Sequence, residues 1–257
     1  MKILEAQNIT KIFPGVIALN DVDAAFEMGQ IHCIIGENGA GKSTLVKVLT
    51  GVYQPEKGKV VIEGEEAAYR SKSFEKVAYV PQEIDLFKHM SVMENLFMPF
   101  QKAGFNSMLV NRKQLYQSAL PWLEKFQIHA KPNDLVANIS ISNQQLLQIA
   151  RAAVNRYFKV LILDEPTTSL TQRETDRLFE VVRQLKSENK TILFISHKLD
   201  ELSEIGDNVM VLRNGEKVGE AKVKEIDRRW IVTQMSGRQI DEETLFRPKT
   251  KPGGASP

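Results

Sequence analysis

The chain has 257 residues, 42% of them hydrophobic, enough for one large domain or two small ones whose core buries roughly 70–75% of the unfolded surface. Its 34 Lys and Arg against 32 Asp and Glu leave a formal charge of +2, short of the basic field of a dedicated nucleic-acid domain, so no nucleic-acid partner is expected. A single cysteine, Cys33, rules out an internal disulfide, and neither a secretory leader nor a run of about 18 apolar residues is visible.

The stretch up to Glu27 reads as antiparallel strand, as do GKVVIEGEE at 58–66 and VMVLRNGEKVGE at 209–220, where Asn214-Gly215 is a strong hairpin-turn signal. These three are expected to form a β-rich flank. Ile31 to Ile35 is an apolar strand leading into a glycine-rich loop at 36–43. A helix follows Lys42, carrying Leu45, Val46, Val48 and Leu49 and stopping at Gly51. Short strands are expected at Val60 to Ile62 and Val77 to Val80. Helical spacing dominates from His89 to Arg156, with Leu115, Ala119, Trp122, Leu123 and Phe126 on one face and Pro121 starting or kinking a helix. VLILD at 160–164 and TILFIS at 191–196 are unbroken apolar runs, the pattern of parallel strands covered on both faces. Between them Thr171 and Glu174 form a capping box ahead of Leu178, Val181, Val182 and Leu185. Strands alternating with helices mean an α/β core; the Pro- and Gly-rich end from Arg247 reads as a linker or frayed tail beyond a domain over 1–246.

Three clusters carry chemistry. Gly36 to Ser43, GENGAGKS, has Gly, four residues, then Gly-Lys-Ser between a strand and a helix. The backbone of Gly36, Glu37, Asn38, Gly39, Ala40 and Gly41 would curl around phosphates, Lys42 would reach the outer phosphates, Ser43 would ligate Mg²⁺, and Thr44 continues the helix end behind them. Asp164 ends a buried strand, placed to hold the metal's water shell, and Glu165 beside it can orient and deprotonate a water. His197 ends the neighbouring run, where a neutral imidazole could bond a γ-phosphate oxygen or the catalytic water. Ligands of open α/β sheets bind beyond the carboxyl ends of strands, which gathers Gly36, Gln82, Asp164 and His197 on one rim. His32, His89 and His129 are assigned no role.

GENGAGKS, VAYVPQE with Gln82, a serine turn at 139–145, LILDEPT and ISHKLDE, in that order, resemble the nucleotide-binding subunit of an ABC transporter over residues 1 to about 240. The resemblance implies a P-loop NTPase of the ABC-ATPase fold: a mostly parallel core sheet, an antiparallel β flank and a helical subdomain over about 89–156. It implies ATP and Mg²⁺, with Gln82 touching the metal and sensing a membrane subunit, and Phe13, in KIFPGVIAL, stacking on adenine.

The family's turn Leu-Ser-Gly-Gly-Gln here reads Ile139, Ser140, Ile141, Ser142, Asn143. Ser140, Ile141, Ser142 and Asn143 would face the ATP of an opposite domain. Ser142 with Gln145 is expected to cap the helix, and bulky Ile141 to limit backbone approach, leaving the second site slower or non-hydrolysing. With DEPTTSLTQRE and ISHKLDEL, the pattern resembles ATPases of bacterial ribose, galactose and xylose importers, which carry two such domains in tandem. This chain would be the first, MSGRQIDEE at 235–243 resembling its end. The resemblance implies a second nucleotide-binding domain, permease subunits, an indirect sugar-binding protein, and a place at the cytoplasmic face of the membrane. A purine-nucleoside importer ATPase, a soluble ABC ATPase outside transport and a regulatory nucleotide-binding module share much of this pattern and stay open.

Overall fold

The computed structural model describes residues 1–99, 111–155 and 157–237. The tail from Arg247 and most of the 235–243 segment lie outside these, as do positions 100–110 and 156 of the expected helical region.

The strands are β1 (Lys2–Phe13), β2 (Val16–Glu27), β3 (Ile31–Ile35), β4 (Lys57–Ile62), β5 (Glu65–Glu66), β6 (Val77–Val80), β7 (Val160–Asp164), β8 (Thr191–Ile195), β9 (Asn208–Arg213) and β10 (Glu216–Lys222). The helices are α1 (Lys42–Leu49), α2 (Val92–Phe97), α3 (Arg112–Lys125), α4 (Ile141–Ala153), α5 (Gln172–Ser187), α6 (Leu199–Ile205) and α7 (Arg228–Ser236). One sheet is antiparallel with order β2-β1-β4-β5. The other has order β10-β9-β3-β8-β7-β6 and is parallel from β9 through β6, with β10 antiparallel at its edge.

The unbroken apolar runs behave as buried parallel strands do, sending alternate residues to opposite faces. Leu161, Leu163, Ile192 and Phe194 join the core that carries the helices, while Val160, Ile162, Leu193 and Ile195 join the core shared with α1 and the antiparallel sheet. The central sheet is thus a partition between two apolar layers, and its carboxyl edge is where both run out. Cys33 is buried in the first layer, where burial raises its thiol pKa.

The 209–220 hairpin departs from the expected flank. Its turn is at Asn214-Gly215, but β9 lies beside β3 in the parallel sheet, because Val209 and Val211 feed one core and Met210 and Leu212 the other. A strand with two apolar faces cannot sit at a one-sided flank. Of the two roles expected of Pro121, starting a helix is excluded, since α3 opens at the Asn111 cap and Pro121 lies inside it. The 171–174 capping box forms as the sequence suggested, and Gly51, φ +71, follows α1 at its C-terminal end.

His32 is 5% exposed, and its Nε2 lies 2.9 Å from the Glu27 backbone nitrogen and 3.2 Å from the Glu27 carbonyl oxygen. Burial lowers its pKa below the ordinary 6.5, against smaller opposing pulls from Glu27, Glu220 and Asp207. A base depressed in the folded state stabilises the fold fully above its unfolded value and loses that contribution as pH falls toward the folded one. Thermal melts between pH 7 and 5.5 should therefore show a falling midpoint with a component that His32→Gln removes; an identical slope in the variant contradicts this.

Candidate nucleotide site

β3 ends at Ile35 and the chain turns sharply. A Cβ on Gly36 would lie 2.3 Å from the Leu212 carbonyl oxygen, and one on Gly41, at φ +100, 2.6 Å from that of Ala18, so both positions exclude a side chain. The crest is open instead: Gly39 has φ +83 with nothing within 4 Å, and Glu37 and Asn38 are exposed. Ala40 is buried below, its N–H donating to Glu37 O at 3.1 Å and its carbonyl accepting the Gly215 N–H at 3.0 Å. The hairpin turn that was expected in the flank braces the glycine loop from beneath.

α1 starts at Lys42 behind Gly41, which has no side chain to cap it, whereas Ser91, Ser140 and Asp227 cap α2, α4 and α7. The first-turn N–H groups, those of Ser43 and Thr44 among them, have no intrahelical acceptor by helix geometry, and the dipole's positive end lies there, an arrangement that suits an anion in the loop. Leu45, Val46, Val48 and Leu49 anchor the helix behind it, each contributing about 1.5–3 kcal/mol by burial. Lys42 Nζ donates to Gly36 O at 2.7 Å and Glu37 O at 3.1 Å. Burial lowers its pKa, and the charges of Glu165 and Asp164 oppose that shift.

Asp164 closes β7 and is 7% exposed. Tyr79 Oη donates to its Oδ2 at 3.2 Å. Burial raises the Asp164 pKa and neighbouring Glu165 adds to the rise, while the Tyr79 bond, Lys42 and Lys47 hold it down. Burial and the same carboxylate push the Tyr79 phenol well up, so it stays a donor. Sequence reading missed Tyr79. Its signal is the register Tyr79↔Ile162, which puts it on the face of β6 that Asp164 shares on β7.

Glu165 follows with φ 46, a left-handed conformation that a non-glycine residue holds only under constraint. Its N–H donates to Ile195 O at 3.0 Å, tying β7's end to β8's. Its Oε2 lies 3.2 Å from His197 Nδ1 and 3.4 Å from Gln82 Nε2, which donates to it. With Nδ1 protonated toward Glu165, His197 keeps Nε2 as an acceptor. Gln82 sits on a loop held from α4: buried Gln148 accepts the Asp85 N–H at 3.0 Å and donates to Pro81 O and Glu83 O at 3.3 Å. The rim residues read from sequence, with Lys42, therefore stand together.

Phe13 stands half-buried at the end of β1, edge-on to Tyr53 with centroids 5.4 Å apart, and Lys11 Nζ lies 5.3 Å from its ring. Lys11 is fixed there by Glu56 at 2.7 Å. The serine turn is placed differently. Ser140, not Ser142, caps α4, accepting the Asn143 N–H at 3.3 Å, because the helix starts one residue after it. Ser140 and Ile141 are exposed, whereas Ser142 and Asn143 are buried. Asn143 accepts from the His129 N–H at 3.0 Å and from Arg177 at 2.9 Å, and Ser142 bonds Glu174. What this turn shows outward is Ser140, Ile141 and a helix end.

Among the described residues no cluster of His, Cys, Asp or Glu could cage a metal unaided. Ser43, Gln82 and Asp164 offer hard oxygen donors, a set that fits Mg²⁺ taking its other ligands from phosphate and water. The open crest, the uncapped helix and the buried cation fit a polyphosphate, and the Glu165–His197 pair fits proton removal from a water beside it.

A family model described as ABC transporter matches residues 19–168. The chain is 39% identical over 254 residues to the ribose import ATP-binding protein of Rubrobacter xylanophilus, covering 98% of the chain and 50% of that protein. It is 40% identical over 258 residues to the xylose import ATP-binding protein of Thermoanaerobacter pseudethanolicus, again 98% and 50%. The chain thus spans about half the length of these curated relatives. Its fold also matches the crystal structure of an ATP-binding cassette of an ABC transporter in its ADP conformation, with a TM-score of 0.79 and 26% identity over 93% of this chain and 100% of that one.

Proposed function

The chain belongs to the ABC transporter family, and on that premise we propose that it is an ATP-binding and hydrolysing domain that powers import of a monosaccharide. The observation that carries the hydrolytic part is the joining of Glu165 to both His197 and Gln82 through one oxygen, beside Lys42 and Asp164. The sugar rests on similarity to ribose and xylose import proteins, which also weighs against the purine-nucleoside and non-transport alternatives.

In this reading the glycine loop and α1 bind the phosphates, and Lys42 leaves its two carbonyls to follow the γ-phosphoryl oxygens. Phe13 offers its ring to adenine. Glu165 takes the proton of the attacking water, His197 holds that water or the γ-phosphate through Nε2, and Gln82 orients the carboxylate. Mg²⁺, held by Ser43, Gln82 and, through water, Asp164, would supply charge neutralisation across the outer phosphates.

Half-length coverage of the relatives supports a second nucleotide-binding domain, following this one on the same chain. Its ATP would meet Ser140, Ile141 and the α4 end, and the Ile141 side chain supports a slower or non-hydrolysing partner site. An open cleft of about 680 Å³ among the described residues, lined by Tyr79, Phe87, Met98, Pro99, Arg70 and Arg151, lies beside the Gln82 loop. Its mixed apolar and basic lining suits permease subunits docked at the cytoplasmic face of the membrane, with the sugar-binding protein acting through them. ATP favours the closed pair only insofar as it touches both halves, so the chain alone should hydrolyse slowly. Light scattering of this chain mixed with the second domain should show association that needs ATP; none at saturating nucleotide refutes the clamp.

A further inference from the structure

Glu201, on α6, is 6% exposed, and a buried carboxylate is costly unless its oxygens are satisfied. Its Oε1 accepts from Thr167 Oγ1 at 2.6 Å and lies 3.1 Å from Lys198 Nζ; its Oε2 accepts from Ser196 Oγ at 2.6 Å. Ser196 Oγ in turn accepts the Lys198 N–H at 3.0 Å, and Lys198 Nζ reaches Thr167 O at 3.3 Å. Thr167 stands two residues beyond Glu165, and Ser196 and Lys198 flank His197. One carboxylate therefore holds the segments that leave β7 and β8, the two that carry the candidate base and its imidazole.

We propose that Glu201 is a positioning residue for hydrolysis: by pinning Thr167 to Ser196 and Lys198, it fixes the spacing of Glu165 and His197. This rests on the reading that Glu165 and His197 hydrolyse ATP. The pair's direct bond is a single contact at 3.2 Å on a histidine side chain 49% exposed, so the imidazole needs its flanks held to keep one orientation. Thr167 and Ser196 are 2% and 4% exposed and both aim their hydroxyls at the same carboxylate, a join between two loops that neither loop makes alone.

The test measures steady-state hydrolysis and nucleotide affinity for the full chain with its second domain. Glu201→Ala should lower kcat roughly 10- to 100-fold with KM within about twofold, because a displaced water-activating pair costs chemistry and not binding. In a His197→Ala background the same change should cost nothing further, and Glu201→Gln, whose amide can serve both hydroxyls, should recover most of the rate. Full activity in Glu201→Ala, or losses that multiply with His197→Ala, overturn the proposal. Should Glu201→Ala fold poorly, Ser196→Ala and Thr167→Val each cut one arm, and an unchanged kcat in either is equally fatal. If the parent assembly hydrolyses no ATP, the hydrolytic reading fails by itself. Amide exchange then decides the structural claim: Lys198 N–H must exchange faster in Glu201→Ala, and equal protection refutes the staple.

Discussion

Replacing Glu165 by glutamine is expected to lower the rate of ATP hydrolysis by roughly 10²–10⁴-fold while ATP affinity stays within about twofold. Glutamine keeps the shape and can still meet His197 and Gln82, but it cannot accept the proton of the attacking water. The backbone makes the comparison clean. Glu165 sits at φ 46, a strain worth on the order of 1–3 kcal/mol, and glutamine bears the same strain, so the variant alters chemistry and leaves the turn alone. The Ile195 carbonyl still receives the N–H of residue 165, holding β7's end against β8. Phosphate release gives the rate and a fluorescent nucleotide titration the affinity. Undiminished turnover would remove Glu165 as the base and leave His197 without its partner role.

Lys42→Ala should act on the other quantity, raising the dissociation constant for ATP roughly 10- to 100-fold, the equivalent of losing about 1.5–3 kcal/mol of hydrogen bonding to a charged group. Lys42 is 7% exposed and lies near two carboxylates, so its removal also leaves Asp164 and Glu165 facing the phosphates with one positive charge fewer. That repulsion makes alanine worse than loss of one contact. Lys42→Arg should rescue poorly, because the buried position, 7% exposed, holds a compact ammonium and a larger planar guanidinium cannot take the same place. Isothermal titration with ADP and ATP separates the two effects, since the lysine should matter more for the longer polyphosphate. Equal affinities in wild type and Lys42→Ala would show that the cation serves the loop and not the nucleotide.

Residues whose role depends on neighbours a few positions away were legible from sequence. The glycine-rich loop at 36–43 had to lead into a helix, Thr171 and Glu174 had to cap one, and the runs at 160–164 and 191–196 had to be covered on both faces. Each follows from local sterics or from a period of two, which a single chain displays in its order of residues. Even the rim was foreseeable, because parallel strands deliver their carboxyl ends to one edge.

Tertiary structure alone decided what faces what along that edge. Tyr79 and Asp164 meet across 85 positions through strand register, and Glu201 reaches back 34 positions to Thr167 because α6 packs beside β7's exit. Asn143 turned inward to Arg177 and His129, which no turn pattern announces, and β9 joined the parallel sheet because both of its faces found cores. The sequence by itself determined where a phosphate can be cradled and which side chains can take a proton. Which oxygen each one holds was decided by packing, since a hydrogen bond needs its partners within about 3 Å and only the folded chain sets that distance.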